Sequence, residues 1–437
     1  MYNADSERSG PSVRKIPVRL KPVDGTPEVL VEEADILAAG QALARGTGWL
    51  AVDTERASAY RYDDRAFLIQ LRRRNAGTFL IDPEKGRSAV GKLAEYLNKL
   101  TWIIHAAPSD LPCLAALGLY PSSLIDTELA GRILGVQRAN LAALTEDFLG
   151  IGLAKGHGRE DWSLRPLPSD WLDYAALDVE LLDELAQVLT DALRERDRFE
   201  WLQQECDHIL DENRRYLQGL DIDQDWRRLK GMGKLRQPKQ LNIARALWRE
   251  RDRIARARDV SPTKILGHQV LRTIAEQVPR SPGEISSIKG FPRRKRGATT
   301  AWLRVVESAL QEPQSDWPLP ERSKRGGEMH FKRWIEHEPR AAALYDNVHE
   351  AISVATDFLG IRADILITSA QTRDLVWWMH SIAENSRPPH INRDYSRSLP
   401  NVTAIYDHLR GRGARPWQAE CLSEVIGAQV LLPMRQR

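Results

Sequence analysis

Cysteine is nearly missing from this chain of 437 residues, which has three: Cys113, Cys206 and Cys421. They are widely separated, odd in number and without a Cys-x-x-Cys spacing, so neither a disulfide framework nor a zinc site is expected. Long apolar runs are missing too. No stretch approaches the roughly 18 residues that a membrane span needs, and residues 1–21 lack the apolar core of a secretory signal. These absences lead us to expect a cytoplasmic chain in a reducing compartment, away from membranes. Neither charge dominates: 63 Lys and Arg face 60 Asp and Glu, a net charge of +3. With 42% hydrophobic and 28% charged residues the composition is that of a globular protein, which excludes disordered, collagen-like and coiled-coil chains. The length suggests two to four domains, since single cores rarely grow beyond about 250–300 residues.

The charge that is present is unevenly spread. Residues 1–200 carry 24 basic and 31 acidic side chains, a balance of −7, and residues 201–300 carry 22 and 12, a balance of +10. The last block, 301–437, is even at 17 and 17. An acidic block can hold cations and a basic one can meet a polyanion, although a basic helical surface is often merely solvated.

Periodicity divides the chain in the same way. Helical spacing over 28–44 is followed by strand-like runs at 49–53, 66–71, 78–82 and 102–105, the first three joined by short polar turns that suit an antiparallel meander. Helical patterns cover 89–100, 110–117, 126–134, 141–148 and a long amphipathic stretch, 168–193. Such alternation predicts an α/β domain with a mixed sheet. Beyond residue 194 strand signals vanish, and helices broken at Pro262, Pro279, Pro282 and Pro292 predict all-α structure on both sides of a linker-like stretch, 312–327.

Four carboxylates stand out by position. Asp53 and Glu55 close the run Leu50-Ala51-Val52, two apart, so both aim to one side of a strand. Burying two acids together is costly unless a cation sits between them. Asp110 opens a helix after the run 102–105. Tyr174 and Asp178, four apart, share a helical face. Each alone has a plain reading: a strand end, a helix start, a tertiary hydrogen bond. Asp126, before Thr127 and Glu128, reads as a helix cap.

Taken in order, these residues resemble the three exonuclease motifs of the DEDD superfamily in its tyrosine-bearing branch. Neighbouring words bring the ribonuclease D family closest: Ala51-Val52-Asp53-Thr54-Glu55, Leu68-Ile69-Gln70-Leu71, Leu80-Ile81-Asp82-Pro83, Leu124-Ile125-Asp126-Thr127 and Asp161-Trp162 with Arg165-Pro166-Leu167. Residues 240–291 resemble the helical HRDC unit of helicases and ribonuclease D, and about 328–430 look like a second, diverged copy. The resemblance implies a mobile tail (1–20), a ribonuclease-H-like exonuclease domain (21–205), an HRDC domain (206–311), a linker (312–327) and a second helical domain (328–437).

It further implies a 3′–5′ exoribonuclease, acting as a monomer on RNA with a free 3′ end, tRNA precursors above all, and releasing nucleoside 5′-monophosphates. Asp53, Glu55, Asp110 and Asp178 would hold two Mg²⁺ or Mn²⁺ ions, because an all-oxygen set suits hard cations. Asp53 would bridge both ions, Glu55 and Asp178 would hold the one that activates water, and Asp110 would act largely through water on the other. Tyr174 would orient the attacking water, its unperturbed pKa of about 10 making it a poor base. Thr54, Trp162, Arg165, Arg293, Arg294, Lys295 and Arg296 are candidate nucleic-acid contacts, as is the basic run 251–258. His105 and Gln70 are expected to be structural, and the pair Trp377 and Trp378 to pack. Arg56 departs from the family, whose members commonly carry an apolar or aromatic residue there. Two rivals are a DNA 3′–5′ exonuclease, which would use the same acids, and an inactive nucleic-acid-binding scaffold.

Overall fold

The computed structural model describes residues 16–154, 156–219, 226–294, 296–320, 331–385 and 395–436. The first strands are β1 (Val18–Arg19) and β2 (Val29–Leu30), followed by helix α1 (Glu33–Arg45). Val29 and Leu30 were expected to start the helix. They instead pair in parallel with Leu80 and Ile81 at the sheet edge, and the helix begins only after Glu32.

The meander β3 (Thr47–Arg56), β4 (Ala66–Arg74) and β5 (Gly77–Ile81) forms as the alternation predicts, because Leu50, Val52, Ile69, Leu71 and Ile81 all bury into one core. Two parallel strands, β6 (Thr101–Ile104) and β7 (Ser123–Asp126), extend it, and the order is β2-β5-β4-β3-β6-β7. The short β7 went unpredicted, since its tail merges with the cap of helix α2 (Thr127–Ile133). A two-residue strand, β8 (Gly152–Leu153), pairs with β1.

The stretch expected as one helix is two, α3 (Ser169–Glu180) and α4 (Leu182–Arg194), hinged at Leu181. The break lets α3 cover β3, β4 and β5 while α4 turns onto β3 and β6. Helix α5 (Phe199–Asn213) then packs on β7, so the expected boundary at 205/206 falls inside a helix of the α/β domain.

Helical structure follows, as expected. Helices α6 (Pro238–Arg258), α7 (His268–Gln277) and α8 (Ala298–Gln311) enclose a separate core around Leu247, Leu271, Ile274, Ile285 and Val306. Helices α9 (Pro339–Leu359), α10 (Ser369–Asn385), α11 (Val402–Gly411) and α12 (Pro416–Ile426) build the last region, whose core is continuous with that of the α/β domain. No helix among the described residues is long and apolar enough to cross a membrane.

Candidate active site

Strand β3 carries Asp53 and Glu55, and α3, laid across it, carries Asp178. One carboxylate oxygen from each lies within 4.8 Å of the others. Asp110 stands apart from this triangle, at the start of the short helix Leu111–Ala115, where the Thr54 hydroxyl donates to it at 2.5 Å.

The four acids oppose one another's ionisation. Burial, then the charges of Asp110, Asp178 and Glu55, hold Asp53 well above the usual carboxylate range. Glu55 is raised likewise by burial and by Asp178 and Asp110, with Arg56 working against the rise. Burial pushes Asp178 up to about 7 against the opposing hydrogen bond from Tyr174, and Asp110 up to about 6 against the help of Arg56 and Thr54. A cation among these oxygens would relieve that mutual opposition at neutral pH. Three convergent carboxylates with neither nitrogen nor sulfur fit a hard divalent ion.

Tyr174 is fixed from several sides. His157 meets its ring edge-on at 5.8 Å and Trp162 lies 6.5 Å away, tilted. The loop backbone presses on the phenol at Gly156, where a Cβ would come within 2.5 Å of the ring and 2.9 Å of the hydroxyl. Any larger residue would displace Tyr174. Burial, then Asp178, Glu55 and Asp53, push the phenol far above its ordinary value, so it stays protonated.

A residue read only as a cap has a second role. Asp126 accepts from Glu128 N (2.9 Å) and Leu129 N (3.1 Å), as a cap should. It also accepts from Ala106 N (3.2 Å) and Ala107 N (2.8 Å) across the sheet. Ala106 has φ +60°, a left-handed conformation that alanine rarely adopts. The Asp126 carboxylate thus holds the turn that delivers Asp110. Nothing local in the sequence signals this, because it depends on β6 lying beside β7.

Several candidate contacts turn inward. Trp162 is fully buried and donates to His157 O at 3.2 Å. Arg165 binds Asp82 (2.7 Å) and the carbonyls of Trp162, Leu164 and Phe67. Both anchor the loop that supports Tyr174, and a buried ring cannot stack on a base. Thr54 is buried against Asp110 and Cys113. Arg251 is a core residue, 2% exposed, bonded to Leu266 O and His268. Arg293, Arg294 and Arg296 are exposed, and Lys295 lies outside the described residues.

His105 meets Thr127 at 3.0 Å, and burial lowers its pKa to about 4, so it is neutral and away from the acids. Gln70 is fully buried opposite Asp53, and neither atom of its amide finds a hydrogen-bond partner. Trp377 lies 5.2 Å from Trp334, and Trp378 stacks on His408 at 4.0 Å.

Residues 29–194 match the family model of a 3′–5′ exonuclease, 240–306 that of an HRDC domain, and 327–430 that of a 3′ to 5′ exonuclease C-terminal domain. A ribonuclease D of Pseudomonas paraeruginosa is 31% identical over 282 residues, 62% of this chain and 73% of that protein. The chain belongs to the ribonuclease D family. Membership makes it a 3′–5′ exoribonuclease, with the metal-dependent chemistry of that class. A ribonuclease D of Cronobacter turicensis is 27% identical over 371 residues, 83% of this chain and 95% of that one. Among solved structures, a protein from Bifidobacterium adolescentis superposes with a TM-score of 0.76 at 30% identity, covering 95% of this chain and all (100%) of the other. Escherichia coli RNase D, described as an exoribonuclease involved in structured RNA processing, shares the fold at a TM-score of 0.65 and 23% identity, covering 91% of this chain and 98% of that one.

Proposed function

We propose that this exoribonuclease trims the single-stranded 3′ ends of structured RNAs, tRNA precursors among them, releases nucleoside 5′-monophosphates, and acts as a monomer with two Mg²⁺ or Mn²⁺ ions. The observation that carries this reading is the convergence of Asp53, Glu55 and Asp178 on one point beside a protonated Tyr174. Bound ions would supply a water of lowered pKa and positive charge for the departing 3′ oxygen.

The chain's own residues do the rest. Asp53, Glu55 and Asp178 would hold the ion that supplies the water, and Asp110 would help hold positive charge beside the departing 3′ oxygen. Tyr174, held as the protonated phenol at neutral pH and so unable to take a proton, would orient the water through its hydroxyl. Asp126 would keep Asp110 in place. Exposed Arg293, Arg294 and Arg296 would tether backbone phosphates without reading sequence. We would end the catalytic domain after α5 rather than within it, and treat 328–437 as a second helical domain of HRDC type.

A 3′-extended tRNA transcript labelled at its 5′ end tests this with Mg²⁺, Mn²⁺ or EDTA, beside Asp53→Ala and a DNA strand of equal length. The expected result is a metal-dependent ladder on RNA that stops near the folded body and is lost in Asp53→Ala. Equal trimming of DNA would replace the RNA reading by a general exonuclease. Binding without shortening under either metal would leave only a scaffold.

A further inference from the structure

Arg56 directly follows the Asp-Thr-Glu triplet, where the family commonly has an apolar or aromatic side chain. The β3–β4 register slips between Glu55 and Arg56, and such a bulge re-aims the side chain that follows it. Arg56 therefore turns into a solvent-open cavity of about 390 Å³ that it lines with Thr54, Glu55, Ser58, Tyr60 and Arg159.

Its guanidinium is only half used. Nη1 bonds Asp64 at 3.1 Å, while Nε is buried and has no hydrogen-bond partner. The nearest acid on that side, Asp110, is 4.0 Å away, beyond hydrogen-bond reach. A guanidinium donates two parallel N–H groups along its Nε edge, the geometry that two oxygens of a phosphate accept. This donor is aimed beside Asp110, within residues 1–200, which carry a net charge of −7.

We propose that Arg56 forms a phosphate subsite for the retained RNA strand, binding the backbone phosphate immediately 5′ of the scissile one. The assignment rests on the functional reading above, in which Asp110 faces the departing 3′ oxygen. A strand entering this acidic site would lay its next phosphate near that side, where Arg56 lines the cavity, and a small turn of the side chain would bring the shielded Nε edge to it. Arg56 is a binding residue, not one that moves a proton. Through Arg56 this chain would grip its substrate by charge, which an apolar side chain at that position could not do.

The test uses the full chain and a hexaribonucleotide with either a native phosphate or an uncharged methylphosphonate at the second linkage from the 3′ end. The nucleoside at that linkage is 2′-deoxy in both. Wild-type protein should show KM about 10- to 100-fold higher on the uncharged linkage, the range of one charge-assisted contact, with kcat nearly kept. Arg56→Gln should show that same rise on the native strand and no further rise on the methylphosphonate, and Arg56→Lys should recover part of it. The half-saturating Mg²⁺ concentration should not move.

A methylphosphonate penalty that persists in Arg56→Gln would overturn the subsite. So would an unchanged KM, or a shift in metal requirement instead, which would make Arg56 a counter-charge to Asp110. If wild-type protein shortens neither strand, the exoribonuclease reading fails, and fluorescence anisotropy of the same protein and strand pairs in EDTA decides the subsite by itself.

Discussion

The two helical regions match different family models, and they join the catalytic domain in opposite ways. The region around α6–α8 keeps its own core, on which Tyr62 of the α/β domain packs, and otherwise meets that domain through charge and hydrogen bonds. Asp259, at the end of α6, accepts from Arg65 (2.9 and 3.1 Å), Arg61 (3.3 Å) and Tyr62 N (3.3 Å). Tyr62 in turn donates to Asp252 at 2.8 Å, and Ser261 N donates to Tyr60 O at 3.1 Å. The region around α9–α12 shares a core with the α/β domain. Trp417 stacks on Trp201 at 4.5 Å and donates to Glu205 at 2.9 Å, and Glu205 also accepts from Arg415 at 2.8 Å. Apolar fusion makes one folding unit of two segments far apart in sequence, whereas a polar latch leaves two units that can part. The latch also grips residues 60–65, the loop that carries Tyr60 at the mouth of the site.

The largest expected effect comes from Trp417→Ala. Removing a buried Trp costs about 3–5 kcal/mol, and because the core is shared, nuclease activity should be lost at the same denaturant concentration as the C-terminal helices. Activity surviving the unfolding of α9–α12 would mean that the two are not one unit. Gly135→Ala attacks the same seam, since a Cβ there would sit 1.8 Å from Gly360 O and Gly135 has φ +89°. The left-handed backbone alone costs about 1–2 kcal/mol for alanine, so its thermal midpoint should fall clearly below wild type.

Metal and pH should separate the regions next. Asp178 and Asp110 have folded-state pKa values raised to about 7 and about 6. The metal-free protein therefore binds more protons folded than unfolded between the ordinary carboxylate value and pH 7. Its stability should be greatest below that window and fall as pH rises through it. Mg²⁺ should restore stability at pH 8 and do little at pH 5, where protons compete for the same oxygens. Calorimetry should show the shift in the fused unit and not in the α6–α8 unit; equal shifts in both would contradict two units.

Asp259→Asn should be milder. The carboxylate side chain is 40% exposed, so losing its charge is expected to cost about 0–1 kcal/mol and to matter less as salt rises. Limited proteolysis between residues 219 and 238 should quicken at low salt, with the thermal midpoint of the fused unit unmoved. Of comparable size, Tyr62→Phe removes the hydroxyl that donates to Asp252 and accepts from Arg256, about 1 kcal/mol. Together with Asp259→Asn it should lose less than the sum of the two, because they belong to one network.

Much of the site was legible because its chemistry is carried by local spacing. Asp53 and Glu55 share a face as alternation requires, and Tyr174 and Asp178 share a helical face as their spacing of four requires. The misread residues failed for one reason. Trp162 and Arg251 are types that bind nucleic acid when exposed, and exposure is not written in residue type. Asp126 was recognised as a cap through the two residues after it, Thr127 and Glu128. Its grip on Ala106 and Ala107 comes from a neighbouring strand that no local pattern reveals.

The sequence by itself determined the order of elements, the α/β then all-α division, the acids and tyrosine of the site, and the family. These follow from short-range periodicity, charge and motif spacing, which the chain displays directly. Only the tertiary structure decided that α3 and α4 bend at Leu181, that Arg56 turns into the mouth of the site, and that one helical region fuses with the catalytic core while the other is latched. Each of those depends on which surfaces meet across long stretches of chain, and an amphipathic helix announces that it has a buried face without saying what will bury it.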